Sequence, residues 1–289
     1  MKKVHLVLGS GGARGMAHIG VIEMLEEEGY EICEVIGCSM GAVVGGIYCA
    51  GFLKEYKQWL SGLTKSNVFS LFDFTFTSQG FVKGDKVFHK IQEFTGEQKI
   101  EELKIPFTAV STDIFNKKEV YFKSGNLFKA LRASIAIPGV FTPVIDEESI
   151  LVDGGVLNPL PLNLVQKKDD AIIVAVNLNG PVQHLPKQPA KEMEGSSYWE
   201  WFPKFPVTGK RENTAPPKVL PKISLFDLLN TSYDFTQDRL TEMMIHHHTP
   251  DILIEVPRNS CNVFEFYRAN ELIEAGKNAY RNAMTNKSN

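Results

Sequence analysis

Cysteine, net charge and long apolar runs are all scarce in this sequence, and each scarcity excludes a class of protein. The 4 cysteines in 289 residues show no C-x-x-C spacing, which argues against a disulfide framework and against a zinc site. A formal net charge of -3 provides no basic surface for nucleic acid. No apolar run approaches the length of a membrane span, and the run after Lys3 is too short for a signal peptide. We expect a cytoplasmic protein with reduced thiols, and peripheral attachment to a membrane is the alternative.

What the sequence does contain is a regular alternation of apolar strand patterns and helix patterns. Hydrophobic residues make up 43% of the chain, which is enough for a substantial core. Because strand-helix alternation with apolar strands is typical of a parallel sheet covered on both faces, we predict an α/β fold with a mainly parallel central sheet. The predicted strands are residues 4–8, 34–36, 107–111, 119–122, 150–152, 171–176 and 252–256, and the later predicted helices lie near 84–94, 126–134, 161–168, 226–247 and 263–283.

One stretch interrupts this alternation. Residues 179–224 are rich in proline and lysine, and we predict a long irregular surface insertion there. The elements on both sides follow one pattern without an internal repeat. We therefore expect a single domain over residues 1–289, with its motifs in a core at about 4–178 and C-terminal helices and a strand at 225–289.

A G-x-S-x-G motif lies between the second apolar strand and a helix of small residues. It spans residues 37–41, with Ser39 at its centre. A strand that turns sharply into a helix projects the central serine away from the sheet, and the flanking Gly37 and Gly41 permit so tight a turn. This context makes Ser39 the candidate nucleophile.

A glycine-rich loop, residues 9–15, follows the first strand. Such a loop before a helix offers backbone amides to a phosphate or to a developing oxyanion. A dinucleotide site would need a glycine where Arg14 stands and an acidic residue where the second strand ends, and both are missing. The first two strands are sequential, so the amides of Gly11 and Gly12 can approach Ser39 as an oxyanion hole.

The base that would activate the serine is not evident among the 7 histidines, which lie in structural or solvent-exposed contexts. Asp153 is the alternative, because a short apolar strand ends there and is followed by Gly154 and Gly155, which permit close approach of another loop. An aspartate that only stabilises a β-turn remains the other interpretation.

Together the segments 11–15, 37–41, 133–143 and 153–155 resemble the patatin-like phospholipase family, with motifs in the right order and spacing over about residues 4–178. The resemblance implies a three-layer α/β/α fold and hydrolysis of lipid acyl esters, as a phospholipase, lysophospholipase or carboxylesterase. It also implies a Ser39–Asp153 dyad without histidine and an acyl-enzyme intermediate. Neither a cofactor nor a metal ion is implied.

The same resemblance assigns the remaining site residues. It implies an oxyanion hole formed by backbone amides, and supporting roles for Arg14 at the family's basic position and for the glycines of the two catalytic turns. The implied oxyanion residues are Gly11, Gly12, Ala13 and Met40, and the supporting residues are Arg14, Gly37, Gly41, Gly154 and Gly155. Ser10 stands where many members have glycine.

Two aromatic segments have alternative interpretations. Residues 69–76 with Phe81 are a candidate acyl pocket or lid, although their alternation also suits a half-buried strand. Residues 198–202, near Lys204, Lys210 and Arg211, are a candidate lipid contact or a segment that packs on the protein body. A lipid or acyl-ester substrate is the expected partner. The alternative function is a non-catalytic or weakly catalytic regulatory protein that binds a partner on the same scaffold.

Overall fold

The computed structural model describes residues 2–77, 80–166, 170–182 and 225–287 of the chain. Its strands are β1 (Lys2–Leu8), β2 (Tyr30–Cys38), β3 (Phe74–Thr77), β4 (Gly80–Val82), β5 (Phe107–Asp113), β6 (Lys118–Phe122), β7 (Val144–Ile145), β8 (Ile150–Asp153), β9 (Ile172–Gly180) and β10 (Ile252–Pro257). Its helices are α1 (Ala17–Glu27), α2 (Met40–Cys49), α3 (Leu53–Ser61), α4 (Lys65–Leu71), α5 (Asp85–Thr95), α6 (Leu127–Ser134), α7 (Leu225–His247) and α8 (Ala269–Lys287).

A mixed sheet forms the centre of the molecule, in the strand order β10-β9-β1-β2-β5-β8-β7. The strands from β10 to β5 are all parallel, and β6, β7 and β8 add antiparallel pairs at one end. β3 and β4 form a separate hairpin. The predicted α/β fold with a mainly parallel sheet flanked by helices is confirmed.

Burial explains why these segments form the interior strands. All seven residues of β5 are buried, as are the last five of β1, which is the pattern of parallel strands covered by helices on both faces. Glycines bring two of the covering helices together. An added Cβ at Gly20 would lie 2.0 Å from the Ile273 carbonyl oxygen, and one at Gly276 would lie 2.0 Å from that of Ala17. Helices α1 and α8 therefore pack backbone against backbone.

Strand β5 is the point at which the two predicted catalytic segments meet. β2 runs parallel to β5 and ends with Cys38 opposite Val110, while β8 runs antiparallel to β5 and ends with Asp153 opposite Ser111. Because β6 pairs with residues 109–113 along the other edge, β2 and β8 share one edge of β5. Their carboxyl ends therefore point toward each other across adjacent residues of β5.

Two predicted helices differ from the observed structure. Of the helix predicted at 161–168, the described residues 161–166 contain only a 3₁₀ turn at Leu162–Leu164, because Leu160 and Leu162, two positions apart, both pack into the core beside Val7 and Ala175. The last helix begins at Ala269 and not at residue 263, because the preceding residues form loop contacts with the glycine-rich loop.

The sequence did not predict α3, α4 or the short β7. It did favour a strand around Phe74 and Phe76, and β3 lies there.

The chain divides into two compact units. The main unit, residues 1–183 and 237–289, contains the sheet, and the second unit is residues 184–236. Of the second unit, the structure describes only the part of α7 at 225–236. Most of the predicted insertion at 179–224, with the aromatic segment 198–202 and Lys204, Lys210 and Arg211, lies outside the described residues. Within the described residues, no helix is long and apolar enough to cross a membrane.

Candidate active site

Ser39 occupies the turn between β2 and α2 in a backbone conformation that L-residues rarely adopt. Its φ is 54° and its ψ is -125°, the strained geometry of a nucleophile elbow. An added Cβ at Gly41 would lie 2.2 Å from the Leu8 carbonyl oxygen, and one at Gly37 would lie 2.5 Å from the Cα of Ala42. The two glycines therefore let the turn pack directly against neighbouring backbone.

A second serine supports this turn. The Ser39 amide donates a hydrogen bond of 2.9 Å to the Oγ of Ser134, and that hydroxyl donates one of 2.6 Å to the Val110 carbonyl. Ser134 is fully buried at the end of α6. The sequence analysis gave it no role, although its segment, 133–143, contributed to the family resemblance.

The hydroxyl of Ser39 points at Asp153. Ser39 Oγ donates a hydrogen bond of 2.5 Å to Asp153 Oδ2, although 114 residues separate the two in sequence. The other carboxylate oxygen, Oδ1, accepts the Gly155 amide at 2.7 Å. The Asp153 amide donates to the Ala136 carbonyl at 2.9 Å, which fixes the end of β8. The structure therefore brings together the serine and the aspartate that the sequence analysis selected.

The turn after Asp153 is as tightly packed as the elbow. An added Cβ at Gly154 would lie 2.4 Å from the Val110 carbonyl oxygen. The next residue, Gly155, contributes its amide to the carboxylate. These contacts explain why a pair of glycines follows the aspartate.

Burial alters the acidity of Asp153. The carboxyl group is buried, and its desolvation raises the pKa from 3.8 to about 7, despite the opposing effect of the hydrogen bonds from Ser39 and Gly155. A carboxylate with a pKa near neutrality can both accept and return a proton at physiological pH.

The glycine-rich loop places amides beside the elbow. The amides of Gly11 and Gly12 donate no hydrogen bond to another described residue, whereas the Ala13 amide donates to the Val263 carbonyl at 2.8 Å. Met40 is the first residue of α2, so its amide lies at the positive end of that helix. Gly11, Gly12 and Met40 therefore have amides available for an anion, and Ala13 does not.

Arg14 connects the glycine-rich loop to the strands beyond it. The guanidinium is buried and donates to the Leu178 carbonyl at 2.9 Å, to Asn179 Oδ1 at 3.0 Å, and to the Arg258 and Cys261 carbonyls at 3.3 Å. These acceptors belong to the end of β9 and to the segment after β10. Arg14 therefore contacts backbone groups that surround the loop.

Gln237 of α7 contacts both catalytic loops. Its Nε2 donates to the Gly155 carbonyl at 3.2 Å and to Ser10 Oγ at 3.4 Å, and the side chain is buried. The sequence analysis missed this residue, since no local pattern reveals a contact between residues 82 and 227 positions apart.

An apolar pocket of about 780 Å³, measured with its open side, lies beside Ser39. Gly12 and Met40 also line it, so Ser39 and two of the available amides share one cavity. Aromatic and aliphatic side chains form its walls, among them Trp59, Leu63, Val68, Phe72, Phe88, Phe141, Phe264 and Phe266. Of the predicted aromatic segment, Phe72 lines the pocket, Phe69 is half exposed, and the side chains of residues 74–81 lie outside the description.

No described histidine hydrogen-bonds to Ser39 or Asp153. The buried ring of His18 donates from Nε2 to the Gly9 carbonyl at 2.9 Å, and burial lowers its pKa to about 4. His5 contacts Glu34 at 2.7 Å. In the elbow, burial raises the pKa of the Cys38 thiol well above its usual range, which favours a structural role. The described residues contain no cluster of side chains that could hold a metal ion.

Comparisons with known proteins place the chain in a family. The family model described as patatin-like phospholipase matches residues 6–165. An uncharacterised NTE family protein of Mycobacterium bovis is 35% identical over 95% of this chain and 89% of its own length. A lysophospholipase of Neurospora crassa is 30% identical over 70% of this chain but only 13% of its own. The crystal structure of VipD from Legionella pneumophila covers 99% of this chain and 66% of its own, with a TM-score of 0.48 and 12% identity. The chain belongs to the patatin-like phospholipase family, a family of lipid hydrolases.

Proposed function

We propose that the protein hydrolyses acyl esters of lipids with Ser39 as the nucleophile and Asp153 as the base. The observation that carries the proposal is the hydrogen bond of 2.5 Å from Ser39 Oγ to Asp153 Oδ2 beside an apolar pocket. Membership of a phospholipase family and similarity to a named lysophospholipase support a lipid substrate.

In the first half of the reaction, Asp153 accepts the hydroxyl proton while Ser39 Oγ attacks the ester carbonyl carbon. The carbonyl oxygen becomes an oxyanion, and the tetrahedral intermediate collapses with cleavage of the bond to the leaving alcohol. Asp153 returns its proton to that alcohol, which leaves an acyl-enzyme on Ser39. In the second half, Asp153 takes a proton from water, the water oxygen attacks the acyl carbon, and Ser39 leaves with the proton.

The oxyanion would be held by the amides of Gly11, Gly12 and Met40. Met40 follows Ser39 directly, Gly12 lines the same pocket, and Gly11 precedes Gly12 in the loop. None of these three amides donates to another described residue. Ala13 is left out of this proposal because its amide already has an acceptor. Arg14 would position the loop through its four backbone and side-chain acceptors.

The pocket would take the acyl chain, while the polar head group stays outside it. None of the described residues that line this cavity carries a charge. Desolvating a charged head group there would have no compensating partner, whereas each methylene gains free energy by leaving water.

The test is hydrolysis of a series of p-nitrophenyl acyl esters and of lysophospholipid by the wild type, Ser39→Ala and Asp153→Asn. Both variants should lose activity by at least about a thousandfold, because each removes a member of one catalytic unit. Ser124→Ala and Asp170→Asn are matched controls, since both residues are exposed and distant in sequence from the site.

A wild type that hydrolyses none of these esters would leave the scaffold as a binding protein. An Asp153→Asn variant that keeps its rate would assign the base to another group. Circular dichroism of each variant separates a loss of chemistry from a loss of fold.

A further inference from the structure

Two side chains separate the pocket beside Ser39 from a second cavity. Leu71, the last residue of α4, and Phe88, in the first turn of α5, are the described residues that line both. Phe88 is only 6% exposed. The two side chains therefore form a wall, called here the Leu71–Phe88 wall.

The cavity on the other side of the wall has a different chemistry. It is a wide groove of about 2080 Å³, measured with its open side. Its lining includes Lys86, Lys90, Lys129 and Arg132 together with Asp85 and Glu97. An alkyl chain gains free energy in the apolar pocket but gains less in this charged and open groove.

Asp73 holds the two halves of the wall together. It lies two residues after Leu71, and its carboxylate accepts the amide of Gly84 at 2.5 Å and that of Asp85 at 3.2 Å, where α5 begins. Its carbonyl accepts the Lys83 amide at 3.1 Å. The end of α4 is thereby fixed against the start of α5.

On the groove side, an aromatic contact supports Phe88. Its ring meets that of Phe128 edge to face, with centroids 6.5 Å apart and an angle of 64° between the planes. Phe128 belongs to α6, is 4% exposed, and lines the groove but not the pocket. Phe88 is therefore packed from behind and holds a defined position at the edge of the pocket.

We infer that Phe88, together with Leu71, sets the longest acyl chain that the pocket beside Ser39 accepts. This inference rests on the proposed function, in which an acyl chain occupies that pocket. Each methylene buried before the wall strengthens binding up to about fourfold. An acyl chain that reaches the wall gains no further binding free energy when it is lengthened, because the next methylene must turn back or pass Phe88 into the groove.

The first experiment compares palmitate and octanoate p-nitrophenyl esters within each variant, so that differences in folded fraction cancel. In Phe88→Ala, the ratio of kcat/KM for the long ester to that for the shorter one should rise by about tenfold or more, roughly the effect of two buried methylenes. Leu71→Trp, which enlarges a partly exposed wall residue, should shift the ratio in the opposite direction. Phe122→Ala is the matched control, since it removes the same ring from a residue that lines the groove but not the pocket, and it should leave the ratio within about twofold of the wild type.

The second experiment needs no hydrolysis. In a Ser39→Ala background, saturated fatty acids of increasing length displace a fluorescent fatty acid, and affinity should rise with length up to a break. Adding Phe88→Ala should move the break to longer chains, and adding Leu71→Trp should move it to shorter ones.

The two readouts separate the two claims. If no ester is hydrolysed but the affinity break moves as stated, the proposed function fails and the chain-length assignment stands. If hydrolysis depends on Ser39, but neither the ester ratio nor the break moves in either wall variant, the inference is overturned. Equal shifts in Phe88→Ala and Phe122→Ala would also overturn it, because a groove residue outside the wall would then affect chain length as much as the wall does.

Discussion

In the proposed mechanism, Asp153 takes the place that histidine holds in more familiar serine hydrolases, and burial gives it a comparable basicity. An unperturbed aspartate has a pKa of about 3.9 and a histidine one of about 6.5. Burial raises the pKa of Asp153 to about 7. An exposed aspartate base would place the acid limb of the pH–rate profile near its own pKa of about 3.9, and burial of Asp153 moves that limb toward neutrality. The pH of the acid limb therefore does not distinguish an aspartate base from a histidine base. Variants of Asp153 and of the histidines are needed to distinguish them.

The pH dependence of kcat/KM should show an acid limb near pH 7. Only the ionised carboxylate of Asp153 can accept the Ser39 proton, so the rate should fall about tenfold per pH unit below that value. The limb should persist in His18→Gln, which keeps a donor for the Gly9 carbonyl but cannot ionise. Initial rates with one ester across the pH range give the limb. Its disappearance in the histidine variant would assign it to His18.

Asp153→Asn should stabilise the protein at pH 8 while it abolishes activity. Since the folded pKa lies above the unfolded one, ionisation of Asp153 destabilises the fold as pH rises from about 4 to 7. The rise from 3.8 to about 7 corresponds to at most about 4 kcal/mol at pH 8. The advantage of the variant should shrink to near zero at pH 4, as measured by urea denaturation. A gain that does not change with pH would contradict this assignment.

At the scale of elements, the site depends on where strands end and not on any one loop. Ser39 follows β2 and Asp153 ends β8, and both strands stop against adjacent residues of β5. The end of α6 covers this junction, with Ser134 bonded to the Ser39 amide and to Val110 of β5. Helix α6 therefore couples the elbow to the strand that positions it.

Ser134→Ala should lower both the stability of the protein and its catalytic rate. The substitution leaves the Ser39 amide without its acceptor in a buried setting, which costs about 1–3 kcal/mol. Because the amide belongs to the nucleophile, kcat should fall more than KM changes. Urea denaturation and steady-state kinetics test the two parts, with Ser124→Ala as the exposed control. A stable variant with an unaltered kcat would show that Ser134 has no part in holding the elbow.

Most elements could be predicted from sequence because their patterns are local. The apolar strands and the two glycine motifs are visible in short windows, and the predicted α/β class is confirmed. Over the described residues 161–166, the predicted helix is replaced by a 3₁₀ turn, because Leu160 and Leu162, two positions apart, both pack into the core. Helices α3 and α4 went unpredicted, although they supply much of the pocket wall.

At the scale of the whole molecule, two buried groups give opposite pH dependences. His18 is uncharged in the folded protein down to about pH 4, whereas an unfolded histidine is protonated below about 6.5. Its contribution to stability is therefore present above 6.5 and is lost as the pH falls toward 4. Protonation of Asp153 has the opposite effect between about 7 and 4. The two contributions largely offset each other in mildly acidic solution.

His18→Gln should make the protein relatively more stable in acid. Compared with the wild type, the free energy of unfolding should improve by up to about 3 kcal/mol on going from pH 7 to pH 4.5, since the histidine no longer binds a proton on unfolding. Denaturation midpoints of both proteins over this range provide the measurement. Parallel curves would show that His18 titrates alike in both states.

Contacts between residues far apart in the sequence could not be predicted from the sequence. A local pattern, an apolar strand that ends in an aspartate and two glycines, made Asp153 a candidate base, but its pairing with Ser39 was implied only by the family resemblance. Gln237 contacts Gly155 and Ser10, which are 82 and 227 positions away in sequence. Leu71 and Phe88 line the same pocket, and Asp73 ties the end of α4 to the start of α5. Such contacts follow from the packed fold, which no short window of residues contains.

Because the ends of β2 and β8 meet only in the assembled sheet, the reactivity of Ser39 should report on folding. In the proposed mechanism, Ser39 gains its base only when β8, the antiparallel strand that carries Asp153, has paired with β5. The two residues are 114 positions apart in sequence, so the contact forms only as the sheet assembles. A partly folded chain contains the serine but not an activated hydroxyl. Labelling of Ser39 by a fluorophosphonate should therefore follow the assembly of the central sheet during refolding. The labelled fraction should equal the fraction of molecules in which that sheet is complete.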